Sequence, residues 1–267
     1  MPELPEVESV RRQLEPELTG RRVESAWWDP HPAIPHEFAG LELLSGRTIL
    51  GVGRRGKFMI APLDEELELI MHLGMTGSFR FDYDDPYVRA KLDLDDGRSL
   101  SFRDVRRFGR VAVVEAGEYE GIPTLRMLGP EPLYDEFDPG RFAAALKKTS
   151  SPVKPYILSQ RPVAGVGNIY ADEALWRARI NPNSRRVGRA RALALHRAIR
   201  EVLASAIERE GTTFSDYRML DGSSGRNEGF LIAYGREGQP CPRCRTPLKK
   251  IWLGGRGTTY CPNCQRR

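Results

Sequence analysis

The chain has 267 residues, of which 40% are hydrophobic and 29% are charged, so it can bury the core of one large or two modest domains. No stretch approaches the roughly 18 consecutive apolar residues of a membrane-spanning helix. The N-terminal residues 1–6 are acidic and interrupted by prolines, unlike the basic and apolar segments of a signal peptide. These features predict a cytoplasmic protein with no membrane partner.

Basic residues are concentrated in two segments. The formal net charge is only +5, but residues 176–200 hold eight arginines and no acid, and residues 241–267 hold seven Lys or Arg and again no acid. Such clusters can neutralise phosphates. Either segment alone fits a solvated basic face equally well, so charge favours a nucleic-acid partner without deciding it.

The first predicted element is a helix over residues 5–18, in which Pro5 suits the first position and apolar residues recur on one face. From residue 21 to about 115, apolar residues alternate with polar ones and predict strands. The strand candidates are residues 67–73, 87–94, 100–102 and 111–114. This half of the chain predicts a β-sandwich or barrel.

After Pro123 the pattern becomes helical. Asp138-Pro139 and Ser151-Pro152 each predict a cap followed by a helix, and further helices are expected over residues 168–179 and 190–210. We therefore predict an α+β multidomain protein. In this prediction, residues 1–122 form a β domain with a leading helix, and residues 123–232 form a helical domain that includes a Gly/Ser-rich loop at 221–225. Residues 233–267 form a cysteine-bearing module.

All four cysteines lie near the C-terminus, as Cys241-x2-Cys244-x16-Cys261-x2-Cys264. Two disulfides are possible, but paired C-x-x-C segments in a cytoplasmic protein favour one tetrahedral Zn²⁺. The 16 intervening residues suit a β-hairpin. Four cysteine ligands leave no open coordination position, so the predicted zinc is structural.

The N-terminus carries a candidate nucleophile. Removal of Met1 is favoured because Pro2 is small, and it would free a secondary amine. An α-amino group has an ordinary pKa of roughly 7.7–8.0, so part of it is neutral and can attack an electrophilic sugar carbon. Glu3 is adjacent and can transfer a proton. On residue types alone, an ordinary helix lead-in is the favoured interpretation.

Several segments along the whole chain resemble the formamidopyrimidine-DNA glycosylase family. They are PELPEVE at 2–8, RRGKF at 54–58, HLGMTG at 72–77, DVRRFG at 104–109, LGPEPL at 128–133, GVGNIYA at 165–171 and YGREG at 234–238. The four-cysteine module follows them. Independent motifs in the family's order make a chance similarity very improbable.

This resemblance implies a β-sandwich and a helix-two-turn-helix domain with a DNA cleft between them, followed by a zinc finger. It implies a monomeric, bifunctional DNA glycosylase/AP lyase of base excision repair that removes 8-oxoguanine and formamidopyrimidines from duplex DNA. Pro2 would be the nucleophile, Glu3 the acid/base, and Lys57 an active-site contact to the target nucleotide. Successive β- and δ-elimination would then cut the strand without a soluble cofactor.

The resemblance also assigns DNA contacts. Met75, Arg106 and Phe108 would fill the gap left by the flipped nucleotide, and Arg106 would also bind the opposite base. Further contacts, mostly to phosphates, would come from His72, Asn168, Tyr234 and Arg256. Two departures stand out: Val105 replaces the family's usual proline, and residues 223–228 differ from the expected loop.

Two alternatives remain. A sister class resembling endonuclease VIII prefers oxidised pyrimidines, but Leu4 and the Arg106/Phe108 pair favour the purine-specific class. The other alternative is a DNA-binding zinc protein without catalysis, and the presence of Pro2, Glu3 and Lys57 argues against it.

Overall fold

A computed structural model describes residues 1–30 and 38–266. These residues divide into two compact units. The first comprises residues 1–126 and 209–228, and the second comprises residues 127–208 and 229–267. The chain therefore returns to the first unit after its longest helix. The domain limits expected from the sequence, at 122/123 and 232/233, stay predictions.

The first unit begins with helix α1, Leu4–Leu18. Its N-cap is Glu3, which forms a reciprocal capping box with Glu6, so two backbone N–H groups that a helix start leaves unpaired are satisfied. The sequence predicted this helix one residue shorter. Gly20, which follows the C-cap, has a φ of +82°, as expected where a glycine ends a helix.

Two antiparallel four-stranded sheets follow, with strand orders β1-β6-β7-β5 and β2-β3-β4-β8. The strands are β1 (Val23–Trp28), β2 (Gly53–Arg55), β3 (Phe58–Pro62), β4 (Leu67–His72), β5 (Ser78–Phe81), β6 (Val88–Leu94), β7 (Ser99–Arg103) and β8 (Arg110–Glu115). The predicted β-sandwich is confirmed. Leu14 of α1, Met71 of β4 and Leu92 of β6 belong to one buried cluster.

That cluster also includes Tyr217 and Met219, from the segment that returns to the first unit. The backbone N–H of Leu220 donates to Gln13 Oε1 at 2.8 Å. Residues 217–220, which lead into the Gly/Ser-rich loop at 221–225, are therefore anchored on the first unit by apolar burial and by this hydrogen bond to α1.

A short helix, α2 (Pro123–Arg126), ends the first segment of the first unit. The second unit contains the helices α3 (Pro139–Lys148), α4 (Val153–Leu158), α5 (Asn168–Arg177) and α6 (Arg189–Glu208). Asp138 caps α3 by accepting a hydrogen bond from Arg141 N, as predicted. A hairpin of β9 (Lys249–Leu253) and β10 (Arg256–Tyr260) ends the unit. No helix among the described residues is long and apolar enough to cross a membrane.

The predicted cap at Ser151 is wrong by one residue. The N-cap of α4 is Pro152, whose backbone is extended, and the helix starts at Val153. Val153 N donates to Ser184 O at 2.8 Å, so a tertiary contact satisfies the helix start that the Ser151 side chain was expected to cap.

Candidate active site and nucleic-acid-binding residues

Pro2, Glu3 and Glu6 are buried, whereas Met1 is exposed. Pro2 is buried, and Glu3 is only 2% exposed. One carboxylate oxygen of Glu6 accepts from Glu3 N at 2.7 Å, and the other accepts from Thr212 N at 2.7 Å. Glu6, which the sequence placed only near the site, therefore ties the start of α1 to the segment 209–228.

Lys57 lies in the turn between β2 and β3 and is 8% exposed. The chain reaches this turn along α1: Arg11 donates to Val52 O at 3.0 Å, and Arg54 donates to Glu8 at 3.0 Å. Each contact lies nearer to the start of α1 than the one before. Residues 52 and 54, which lead into this turn, therefore contact residues 8–11 of α1. Lys57 is not the exposed strand lysine that its residue type would suggest.

His72 ends β4 opposite Phe58 of β3, and the two rings lie 4.6 Å apart. Burial, reinforced by the positive charges of Lys57 and Arg110, lowers the pKa of His72 to about 4. Its Nδ1 accepts a hydrogen bond from Gly74 N at 3.2 Å. The neutral ring therefore carries its proton on Nε2, which can donate to an anionic oxygen.

Met75, Arg106 and Phe108, hereafter the wedge residues, lie on two adjacent loops. Met75 is in the turn after β4, and the other two are in the loop between β7 and β8. The Arg106 guanidinium lies 5.0 Å from the centre of the Phe108 ring, which is 47% exposed. An exposed aromatic ring stacked with a cation, beside a methionine, suits contact with bases.

Asn168 is the first residue of α5, and its amide donates to Gly257 O at 3.2 Å. Gly257 follows Arg256, which begins β10. Asn168, a phosphate-binding candidate, is therefore bonded to the backbone of the residue that follows Arg256, the other such candidate of the second unit.

A buried ion pair also joins α5 to the hairpin of β9 and β10. Lys154 Nζ lies 2.7 Å from Asp172 Oδ1 and also donates to Thr258 Oγ1 at 2.9 Å. Asp172 accepts from Thr259 N at 2.9 Å. Burial raises the pKa of Asp172 to about 7, although Lys154 opposes the rise. Sequence analysis did not single out this pair, which links α4 and α5 to the hairpin.

Tyr234 is positioned through its backbone. The carboxylate of Glu173, which is 5% exposed, accepts hydrogen bonds from the N–H groups of Ile232, Ala233 and Tyr234 at 2.8–3.1 Å. Burial raises the pKa of Glu173, while these three hydrogen bonds oppose the rise. Glu173 was also missed from the sequence, because an acidic residue in a helix is usually exposed.

The four cysteines cluster as predicted. Their sulfur atoms all lie within 4.8 Å of one another, and none forms a disulfide. Tetrahedral zinc with Zn–S bonds of about 2.3 Å needs sulfurs about 3.8 Å apart, and the pairs Cys244–Cys261 and Cys241–Cys264 lie at 3.5 and 4.0 Å. The donor set fits one structural Zn²⁺. The hairpin of β9 and β10 lies between the two C-x-x-C segments.

The cysteine module packs on α5. Arg243 stacks on the ring of Trp176, 3.7 Å from its centre, and donates to Trp176 O at 2.6 Å. Trp176 belongs to the same buried cluster as Cys241 and Cys261. Zinc would therefore stabilise a module that is joined to the helix carrying Asn168.

The candidate residues form two groups. Pro2, Glu3, Lys57, His72 and the wedge residues belong to the first unit, and Asn168, Tyr234, Arg256 and the four cysteines belong to the second. Within each unit, hydrogen bonds or packing join residues that are far apart in sequence.

Three family profiles match the chain in order. "Formamidopyrimidine-DNA glycosylase N-terminal domain" matches residues 1–111, "Formamidopyrimidine-DNA glycosylase H2TH domain" matches residues 128–218, and "Zinc finger found in FPG and IleRS" matches residues 238–267. Together they span the β-sandwich, the helical part and the cysteine module.

Relatives and solved structures point to the same family as the three profiles. A formamidopyrimidine-DNA glycosylase of Deinococcus radiodurans is 47% identical over 99% of this chain and 97% of its own length. The crystal structure of MutM (FPG) from Thermus thermophilus superposes with a TM-score of 0.92 at 47% identity, covering 99% and 98% of the two chains. A Lactococcus lactis FPG mutant bound to Fapy-dG-containing DNA gives 0.90 at 36% identity, with both chains fully covered. The chain belongs to the formamidopyrimidine-DNA glycosylase family.

Proposed function

We propose that this protein excises oxidised purines from duplex DNA through a covalent intermediate on the Pro2 amine. As a family member it is a DNA glycosylase of base excision repair with AP lyase activity. Related structures hold DNA with Fapy-dG, an abasic site or carbocyclic 8-oxo-G, which supports these substrates here. The fixed, buried pair of Pro2 and Glu3 at the start of α1 carries the proposal.

The surroundings of Pro2 favour a neutral amine once Met1 is removed. Pro2 is buried immediately before the N-cap of α1. The positive end of the helix dipole disfavours a protonated amine, and an α-amino group with an ordinary pKa of roughly 7.7–8.0 is partly neutral at physiological pH. A neutral secondary amine is nucleophilic and can form an iminium ion with a sugar aldehyde carbon.

The bond changes then follow in order. The Pro2 nitrogen attacks C1′ of the damaged nucleotide, and the N-glycosidic bond breaks as the base leaves with a proton delivered through Glu3. Opening of the sugar ring gives an iminium, which makes a C2′ proton acidic. Its removal expels the 3′ phosphate by β-elimination, a second elimination expels the 5′ phosphate, and water releases Pro2.

The remaining candidates hold the DNA. Lys57 contacts the target nucleotide, and the wedge residues fill the space that it leaves, because a base must leave the stack before its sugar can react. Phosphates are bound by His72, Asn168 and Arg256, with Tyr234 as a further contact. Lesion contacts from the segment 209–228 are expected as well, since Glu6 ties that segment to the reacting end of α1.

Purine lesions are favoured over the oxidised pyrimidines of the endonuclease VIII-like class. The wedge residues lie together on adjacent loops, and the relatives at 47% identity are named formamidopyrimidine-DNA glycosylases. A DNA-binding protein without catalysis is disfavoured by the buried Pro2–Glu3 pair. We place the protein in the cytoplasm, at the nucleoid, and expect it to act as a monomer.

Borohydride trapping tests this function. Wild type should form an adduct with a duplex carrying one 8-oxoguanine opposite cytosine, and mass spectrometry should locate it on Pro2. A sample that retains Met1 should form none, because its proline nitrogen is an amide. Pro2→Gly should trap far less DNA than wild type, whereas Pro5→Gly, the matched proline control, should trap DNA as wild type does.

Glu3→Gln separates the two reactions. It should lose base excision by about 100-fold or more, yet still be trapped on a preformed abasic site, where no base has to leave. Adducts with oxidised pyrimidines alone would move the protein to the sister class. No adduct on any lesion or abasic site would refute the catalytic proposal.

A further inference from the structure

The two loops that carry the wedge residues pack backbone against backbone. Gly74, in the turn after β4, has a φ of +59°, and a Cβ there would lie 2.4 Å from the carbonyl carbon of Phe108. Neither loop belongs to a helix or strand. Something other than regular secondary structure must therefore fix their relative position.

The carboxylate of Asp104, whose residue is 0% exposed, connects both loops. One oxygen accepts from the Thr76 hydroxyl and from Arg106 N at 3.2 Å. The other accepts from Gly109 N at 2.7 Å. The bonded groups are next to Met75, within Arg106 and directly after Phe108. One side chain thus fixes the backbone at or beside all three wedge residues.

Thr76 adds a second link. Its hydroxyl donates to Asp104 and accepts from Arg106 N at 3.0 Å, so it joins the turn after β4 to the loop between β7 and β8. Thr76 is 8% exposed. Water therefore competes poorly for these hydrogen bonds, and losing them leaves buried polar groups unsatisfied.

Asp104 is itself held by the sandwich. Its N–H donates to Tyr87 O at 2.9 Å, and its carbonyl accepts from Arg89 Nε at 3.1 Å. Arg89 also donates to Asp29 at 3.1 Å, and Arg107 reaches the same carboxylate at 2.8 Å. The loop is therefore anchored on both sides of Arg106.

Backbone conformation explains why such anchoring is needed. Arg107 has a φ of +56°, a left-handed conformation that is strained for a residue other than glycine. It reverses the chain between Arg106 and Phe108, which then lie against each other. Val105 lacks the ring that would stiffen a proline at this position, so hydrogen bonds must hold the loop.

We infer that Asp104 and Thr76 are positioning residues that hold the wedge residues in one arrangement before DNA binds. Inserting side chains into a base stack requires them to be ordered, and ordering them in advance lowers the free energy lost on binding. The inference rests on the proposed function, because it assumes that the wedge residues enter DNA. Beyond that function, the inference names the hydrogen bonds of Asp104 and Thr76 as what sets the geometry of the wedge residues.

The test compares Thr76→Val, which removes the hydroxyl at similar volume, with Thr76→Ser, which retains it. Single-turnover excision of 8-oxoguanine opposite cytosine should fall about 10-fold in Thr76→Val, as expected for a lost hydrogen bond to a charged group. Cleavage at a preformed abasic site should fall less than about twofold, because no base pair must open. Thr76→Ser should restore excision.

Ser101→Ala is the matched control. It removes another buried hydroxyl, which lies in β7, outside the two loops that carry the wedge residues, and donates to Tyr83 O at 2.6 Å. Both variants should lose thermal stability, but only Thr76→Val should lose excision selectively. Equal losses in the two variants, or equal losses on both substrates, would overturn the inference.

A second readout separates this inference from the proposed function. The fluorescence of 2-aminopurine placed beside the lesion reports unstacking whether or not chemistry follows. The rise on binding should be smaller in Thr76→Val than in wild type. If wild type performs no excision but this difference persists, the catalytic proposal fails and the positioning role stands. If excision occurs and the fluorescence rise is the same in both, the positioning role fails.

Discussion

The buried ion pair of Lys154 and Asp172 offers a quantitative test of how the zinc hairpin is held. The two side chains are 0% and 1% exposed, and their charged atoms lie 2.7 Å apart. Lys154→Met retains most of the side-chain volume and removes the charge. Among the described residues, the Asp172 carboxylate would keep the N–H of Thr259 as its hydrogen-bond partner, while Gly257 O and Thr258 Oγ1 would each lose a donor.

We expect Lys154→Met to lower the free energy of unfolding of the second unit by about 3–5 kcal/mol, the usual loss when one partner of a buried pair is removed. Protonation of the unpaired Asp172 limits the loss. Wild-type Asp172 already has a pKa of about 7, so a further rise adds little to the difference at pH 7, and most of the expected loss comes from the donor that Gly257 O and Thr258 Oγ1 each lose.

The loss should depend on pH. In the variant, Asp172 has a raised pKa and stays protonated when folded, but it ionises when unfolded. Stability is then lost as pH rises, by up to about 1.4 kcal/mol per unit. Wild type, in which burial raises the pKa of Asp172 only to about 7, should level off above that pH. The difference between the proteins should therefore grow between pH 7 and 8.5.

Urea unfolding of the zinc-loaded proteins at several pH values measures both effects. Lys91→Met is the control, because Lys91 and Asp84 form a partly exposed pair at 3.4 Å that should contribute less than about 1 kcal/mol. Lys154→Met/Asp172→Leu, which leaves neither charge, should recover part of the loss. If Lys154→Met costs no more than Lys91→Met, or its cost does not change with pH, the ion pair does not hold the hairpin.

Three further predictions concern His72, Glu173 and the cysteine cluster. His72 has a pKa lowered to about 4, so the stability that the neutral ring contributes is present above pH 6.5 and is lost as pH falls towards 4. Relative to His72→Gln, the free energy of unfolding of wild type, measured in urea, should fall by up to about 3 kcal/mol over this range. A difference between the two proteins that stays constant with pH would contradict this. Glu173→Gln removes the negative charge of the carboxylate that accepts hydrogen bonds from three backbone N–H groups, and should lower the free energy of unfolding by about 1–3 kcal/mol in thermal unfolding. It should also weaken DNA binding, because these hydrogen bonds position Tyr234. Unchanged binding would argue against that role for Tyr234. A thiol-reactive reagent should release one Zn²⁺ per chain, and Cys261→Ser should bind less; a full zinc content in that variant would exclude Cys261 as a ligand.

Local rules predicted the elements well where they depend on near neighbours. The apolar periodicity and Pro5 gave α1 to within one residue, and Asp138 before Pro139 gave the start of α3. The rule failed at Ser151, because the first N–H of α4 is bonded to Ser184, 31 residues ahead of Val153 in the chain. A cap made by a distant segment leaves no local pattern.

Much of the site could also be predicted. Cysteine spacing alone gave the zinc ligands, because four thiolates in two short pairs can meet on one ion. The N-terminal proline and its glutamate needed the family resemblance, because a proline-rich helix start is common. Asp104, Lys154, Asp172 and Glu173 were missed, since a charged residue in sequence looks exposed whether or not it is buried.

The sequence by itself determined the order of sheet, helices and hairpin, the zinc ligands and, through its motifs, the family. Only the tertiary structure decided which charged groups are buried and what they hold. It placed Asp104 beneath the wedge residues, Glu6 against the segment 209–228, and Lys154 against the hairpin. The physical reason is that hydrophobic periodicity is written along the chain, whereas the hydrogen bonds that satisfy a buried charge come from residues brought together by folding.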